Sequence, residues 1–200
     1  MNEPIFKSIF DNSWEDLPPV IKKHYAICPY TNDKVTVEGH LDISCAKHIQ
    51  FLAPVFWLFG TIPPINEETV PVTVHFESKP NTREFCFNRI FHFKTRKPYE
   101  FRSRMVQVED DEVIEVMRFG ISWRLNYLWE EGKVMLRHKG YALKAFGQFI
   151  PLPITWVLGR GNAEEWAVDD DTFDMCATIT NPLWGKIYEY KGRFTIVSET

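Results

Sequence analysis

The stretch Lys34-Val35-Thr36-Val37-Glu38-Gly39-His40-Leu41-Asp42-Ile43 decides how the rest of the chain is read. Val35, Val37, Gly39, Leu41 and Ile43 alternate with Thr36, Glu38, His40 and Asp42. A period of two marks a strand with one buried face and one wet face. The period returns beyond Pro64, where Val70, Val72, Val74 and Phe76 oppose Thr73, His75 and Glu77. Phe85, Phe87, Phe91 and Phe93 mark the next strand, and Phe101, Ser103 and Met105 the one after it. Residues 112–130 read as one long strand bent at Gly120, answered across a hairpin at 130–133 by Val134 to Leu143. Further strands are expected near 162–169, 172–180 and 185–197, with turns at 78–82, 96–98 and 109–111. Strands joined by hairpin-length turns pair antiparallel, and so many in one domain curl or close. The expected fold is mainly β (α+β): a strongly curved or closed antiparallel sheet or barrel of about nine or ten strands.

Outside the strands the period changes. Residues 3–26 read as helical, with Ile5, Ile9 and Phe10 on one side. A second helix starts at Asp16-Leu17-Pro18-Pro19, with Asp16 as cap and the prolines in the first turn. Ser44 to Gly60 reads as one amphipathic or buried helix interrupted by Pro54, set on a face or mouth of the sheet. Its apolar run falls short of the ~20 residues that span a bilayer, so no transmembrane segment is read. A second apolar stretch, Phe146 to Leu158, is broken by Pro151 and Pro153.

The 200 residues suit a single domain over 1–200, and 44% hydrophobic with 25% charged residues is ordinary for a globular protein. The aromatic share of 15% accounts for the greasy strand faces. A net charge of −4 argues against a nucleic-acid binder. The basic run Lys94, Arg96, Lys97, with Arg102 and Arg104 nearby, reads as a solvated turn and strand face. Cys28, Cys45, Cys86 and Cys176 form no CxxC pair and lie near no His at zinc-finger spacing. No metal site and no cofactor motif is read. Met1-Asn2-Glu3-Pro4 lacks the basic start of a signal peptide, so a cytoplasmic location is expected.

No catalytic signature appears: no GxSxG elbow, no dinucleotide fingerprint, and Gly159-Arg160-Gly161 lacks the setting of a phosphate loop. Arg89 is the most informative single residue, because it shares register with Phe85, Phe87, Phe91 and Phe93 and so falls on the apolar face. A buried guanidinium needs a partner. It pairs with an inward carboxylate, snorkels at the rim, or holds the acidic head of a ligand by a forked hydrogen bond. His138 shares register with Val134 and Leu136 and reads as a satisfied core histidine or a chemical group. Glu164-Glu165 opens a strand, so one carboxylate points in, and an inward Glu165 is a natural partner for Arg89 or His138. Phe56, Trp57, Phe149 and Trp156 belong to the two apolar stretches, which either plug the open end or form a pocket mouth or partner contact.

A set of short segments then resembles a known family. These are Leu17-Pro18-Pro19, Val70-Pro71-Val72-Thr73-Val74 before the aromatic strand with Arg89, and Phe101-Arg102-Ser103-Arg104-Met105. Ile150-Pro151-Leu152-Pro153, Glu165-Trp166 and Pro182-Leu183-Trp184-Gly185 complete it, with Tyr190-Lys191-Gly192 closing. Together they resemble the bacterial family called domain of unknown function 4166, over about Phe6 to Phe194. The resemblance implies a bacterial source and a module that stands beside oxidoreductase-like or DoxX-like membrane chains. It transfers no catalytic residue.

Three functions follow as expectations. The first is a non-enzymatic module binding a small apolar or amphipathic ligand, such as a lipid-like acid. Phe85, Phe87, Phe91, Trp123 and Phe173 would line its pocket, Arg89 would orient a head group, and His138 and Glu165 would lie beside it. The second is a protein-interaction domain with a filled core, which predicts no pocket larger than a water-sized void and a contiguous exposed patch from residues 49–64 and 146–158. The third is a small isomerase or hydratase, which requires two of Arg89, His138 and Glu165 to meet within hydrogen-bond reach. Contact with a membrane surface is left open.

Overall fold

A computed structural model describes residues 3–200; Met1 and Asn2, part of the leader reading, lie outside the described residues. Eleven antiparallel strands form one sheet: β1 Lys34–Cys45, β2 Glu67–Lys79, β3 Thr82–Phe91, β4 Tyr99–Glu109, β5 Glu112–Val116, β6 Ile121–Glu130, β7 Lys133–Ala145, β8 Gln148–Leu152, β9 Arg160–Ala167, β10 Thr172–Asn181 and β11 Gly185–Glu199. Each of β1 to β7 pairs with its neighbour in sequence, except that β7 also meets β9, β9 meets β10, β10 meets β11, and β11 returns to β1. Ten strands therefore close into a barrel, and β8 hangs from the upper part of β7 outside the ring. The closed antiparallel barrel is the expected fold.

Two details differ from the sequence expectation. Residues 112–130 are not one bent strand but a hairpin, β5 and β6, reversed through a one-turn 3-10 helix at Arg118–Gly120. Phe119 (φ 59°) and Gly120 (φ 80°) take the left-handed region there. Gly120 tolerates this because it has no Cβ. Ser44–Gly60 is two helices, α3 Lys47–Phe51 and α4 Ala53–Phe59, broken at Leu52. Pro54 has no N–H for a continuous ladder, so a new helix starts with it in the first turn. The stretch Phe146–Leu158 becomes β8 and a single helical turn at Thr155–Leu158.

The barrel has two unlike ends. Below, short helices at Lys7–Phe10 and Pro19–Tyr25 with a 3-10 turn between them plug the ring. Phe6 packs against Phe85 (4.8 Å) and Tyr127 (5.1 Å), and Phe10 against Tyr25 (5.4 Å). Above lie α3, α4, the turn at 117–120, the β7–β8 turn, the segment 153–159 and the turn at 182–184.

Close coiling of β1 on β11 depends on two glycines. A Cβ on Gly192 would stand 1.8 Å from the His40 carbonyl oxygen, and one on Gly39 would stand 2.0 Å from that of Arg193. Gly192→Ala should therefore cost about 2–3 kcal/mol of stability, read as a lowered urea midpoint with unchanged slope.

Candidate functional site

Period-2 alternation does place Arg89 inside the barrel, where it is 5% exposed. Its guanidinium lies between the rings of Phe87 (3.6 Å) and Phe101 (3.9 Å). It donates to Ser103 Oγ at 2.8 Å and to Glu115 Oε1. The Ser103 hydroxyl also donates to Glu115 Oε1 at 2.6 Å. The carboxylate that holds Arg89 is thus Glu115 on β5, not Glu165 as the sequence suggested. Glu115 obeys the same logic as Arg89, a charge in register with inward Val113. Reading 112–130 as one strand concealed the hairpin that carries it over β4.

Glu165 is 6% exposed and accepts a hydrogen bond from Tyr25 Oη at 2.8 Å, a residue of the plug. His24 Nδ1 stands 3.9 Å from the same carboxyl oxygen, with its ring stacked on Phe76 (4.0 Å) and Tyr25 (4.3 Å). Burial raises the Glu165 carboxyl to about 7 and lowers His24 to about 3. Low polarizability around both groups favours the uncharged pair over an ion pair.

His138 sits higher, half-buried. The Trp123 indole N–H donates to its Nδ1 at 2.7 Å, and its Nε2 lies 3.3 Å from Thr155 Oγ1. A nitrogen that accepts from indole carries no proton, and burial lowers this histidine to about 4. His138 is therefore a neutral acceptor that orients Trp123. Gly161 leaves room for the indole, since a Cβ there would stand 1.8 Å from Trp123 Cζ2.

Arg89, His138 and Glu165 do not meet: among the described residues each has its own partner and no hydrogen bond joins any two. Arg89 and Glu165 border two small inner voids of about 50 and 30 Å³, the first also bounded by Phe85 and the second by Phe91 and Phe173, with Phe87 on both. These are water-sized spaces, not a ligand pocket.

A larger, apolar cavity lies above them. It measures about 470 Å³ and opens at the upper end. Its floor is Ile62, Phe101 and Trp123, which also bound the first inner void. Met117, Ile121, Tyr141, Ile179 and Tyr188 form the walls; Leu52 and Phe56 on one side and Val157 and Leu158 on the other flank the opening. The lining is almost wholly apolar; the Tyr141 hydroxyl donates to the Gly159 carbonyl at 3.0 Å, the buried Tyr188 hydroxyl has no partner among the described residues, and the exposed His48 ring lies at the edge against Trp184 (5.0 Å). At about 470 Å³ the cavity exceeds the water-sized void that a filled core allows, while the barrel's middle is packed.

Of the aromatic residues expected at a pocket mouth, Phe56 lines the cavity. Trp57 instead packs on Tyr99 (4.4 Å), Phe149 lies under Lys144 (5.4 Å), and Trp156 is 67% exposed. Met117 and Ile121 escaped sequence reading because they flank the reversal at 118–120. Among the described residues there is no cluster of His, Cys, Asp or Glu able to hold a metal ion, and no helix is long and apolar enough to cross a membrane.

Fold and site define a closed ten-stranded antiparallel barrel, plugged at one end and hollow at the other. The chain belongs to the family Domain of unknown function (DUF4166), whose profile matches residues 17–194. Among curated proteins none matches it. In three dimensions it is similar to Rv2717c from M. tuberculosis, with 10% identity, 92% of this chain and 100% of that one covered, and a TM-score of 0.45. It is also similar to a putative thioesterase II from Thermobifida fusca (8% identity, 82% and 78% covered, TM-score 0.27). A third is the dehydratase domain of the polyketide PpsC from Mycobacterium tuberculosis (5% identity, 88% and 79% covered, TM-score 0.20).

Two outcomes follow from the inner polar layer. Arg89→Met leaves the Glu115 carboxylate buried without its cation and should destabilise the barrel by about 3–5 kcal/mol in urea unfolding, while adding Glu115→Leu should recover most of that loss. Because folding raises the Glu165 pKa, the folded state keeps a proton that the unfolded chain releases. This residue's contribution is fully present below about pH 4.5 and is lost as pH rises through about 7. Glu165→Gln keeps an acceptor for Tyr25 and never ionises. Its stability relative to the parent should rise by about 3 kcal/mol between pH 4.5 and pH 8, and a difference independent of pH would refute the buried neutral acid.

Proposed function

We propose that this barrel binds a small apolar ligand, or the apolar tail of an amphipathic one, in the cavity at its open end. The single observation that carries the reading is the combination of size and chemistry there. A space of about 470 Å³ lies within the range of small-molecule sites. Almost every atom on its wall is apolar, and the one unpartnered buried polar group there is the neutral Tyr188 hydroxyl, so a charged group inside would be desolvated without a counter-charge. An occupant that is hydrocarbon over its buried length meets no such cost.

Arg89 has the carboxylate-paired part, one of the three readings open in the sequence, rather than the ligand contact. Beneath Phe101 and held by Glu115, its guanidinium is closed off from the large cavity by the aromatic floor. An acidic head group on the ligand therefore belongs at the opening, in water, rather than inside. Trp123, fixed by His138, gives the floor a rigid flat surface for rings or chains to pack against. The role proposed is binding, since Arg89, Glu165 and His138 do not converge on this space.

Titration with an uncharged environment-sensitive dye such as Nile red, with native mass spectrometry of the purified protein, tests the reading. Leu52→Asp places a carboxylate on the lining, and Met117→Trp fills the space; both sites are part-exposed or half-buried and tolerate change. Each should weaken dye binding about tenfold or more, the cost of about 1.4 kcal/mol or more. Dye affinity unchanged in both folded variants would remove the cavity as the binding site.

A further inference from the structure

The upper end of the barrel differs from every other surface of the molecule. Phe51 is 86% exposed, Leu183 72%, Trp156 67% and Leu58 58%. Val55 and Trp184 add to the same rim, as do Phe119 and Phe146 on their turns. Among the described residues, only Tyr30, Val108, Ile150, Val168 and Val197 are large exposed apolar side chains away from these connectors. Helix α4 is apolar along its whole length, yet none of its residues is fully buried. Five separate connectors thus carry protruding apolar groups around one opening, the mouth of the cavity.

Charge is sorted along the same axis. The upper connectors, residues 46–66, 92–98, 117–120, 146–147, 153–159 and 182–184, contain Lys47, Lys94, Arg96, Lys97 and Arg118 and no Asp or Glu. The lower end carries Asp11, Glu15, Asp16, Asp110-Asp111, Glu131 and Asp169-Asp170-Asp171, which outnumber Lys7, Lys22 and Lys23 of the plug; Lys22 pairs with Glu15 and Lys23 with Asp171. The run Lys94, Arg96, Lys97, bland as a sequence, thus lies on the rim. All five upper cations are exposed. Among the described residues none is ion-paired. Arg118 and Lys94 reach only backbone carbonyls, and Arg96 stands 5.9 Å over Trp57.

We propose that this end docks on an anionic membrane surface, with Phe51, Leu58, Trp156 and Leu183 inserted among the acyl chains and the rim cations against lipid phosphates. The chemistry selects that partner. A surface of negative headgroups over hydrocarbon offers one sign of charge and an apolar layer just below it, which is the arrangement of this rim. A protein partner would have to supply carboxylates around an apolar centre to match the five unpaired rim cations, which outnumber the acids beside them, Glu67 and Glu68 at the start of β2 and Glu100 at that of β4. The acidic lower end is repelled by the same surface, so docking has one orientation, mouth down. The inference goes beyond ligand binding and stands on the rim, whether or not the cavity is filled.

Co-sedimentation with vesicles tests it, using phosphatidylcholine alone and an equimolar mixture with phosphatidylglycerol. The protein should sediment with the mixed vesicles, less at high salt, and far less with the neutral ones. Arg96→Glu with Lys97→Glu should lower the partition coefficient roughly tenfold or more. Phe51→Ser with Trp156→Ser should do likewise, and Asp170→Lys at the far end should not lower it. Absence of binding to the mixed vesicles, equal binding to both kinds, or binding unmoved by both rim pairs overturns the proposal. So does a concentration-dependent dimer in sedimentation velocity that Phe51→Ser with Trp156→Ser abolishes, without vesicle binding, since the rim would then be covered by a second copy. Phe51 and Trp156 do not line the cavity. Dye binding by that pair should match the parent, which keeps failure of the docking surface distinct from failure of the binding site.

Discussion

A ring of ten strands encloses more space than its own inward side chains fill; about eight strands is the size at which side chains alone suffice. That excess of volume governs the rest of this molecule. At the lower end the chain meets it with its own N-terminal segment, whose Phe6, Phe10, Trp14 and Tyr25 enter the ring. In the middle it is met by large residues around one ion pair, Arg89 with Glu115, pressed between two aromatic rings. At the upper end nothing comparable enters, and a cavity is left.

The polar groups inside follow from the same geometry. A charge within a narrow barrel has no water to turn to, so each must be matched across the ring or lose its charge. Arg89 is matched by Glu115 and Ser103. Glu165 has only the Tyr25 hydroxyl and a histidine 3.9 Å away, and burial keeps its proton on well above the usual carboxylate range. Since Tyr25 belongs to the plug and Glu165 to the wall, that hydrogen bond also fastens the two together.

The upper end is where wall, cavity and surface meet. β7 and β9 part above Leu136, and the single turn Thr155–Leu158 fills the gap with Val157 and Leu158 facing the cavity. His138, at the point of parting, accepts from Trp123 and so fixes the floor. Outward from the same opening the surface is apolar and cationic, so one end of the molecule concentrates every feature that suits contact with an amphipathic environment.

Much of this was legible in the residues alone. Alternation from Lys34 onward gave the strands, their antiparallel pairing and a sheet that curls or closes, because the period of a half-buried strand is a local property. It also placed Arg89 inside, among phenylalanines, with an inward carboxylate as one of three ways to answer its charge. Which carboxylate could not be read: Glu115 reaches Arg89 only because the chain reverses at 118–120, and a left-handed Phe119 is not written in any propensity. The cavity, too, is a difference between the volume enclosed and the volume filled, which no single segment carries. The sorting of charge was present in the sequence as scattered lysines and arginines, but only the up-and-down path of the strands brings Lys47, Lys94, Arg96, Lys97 and Arg118 to one end. Local periodicity determined the barrel; closure, through contacts between residues far apart in the chain, decided where it is hollow and which way it faces.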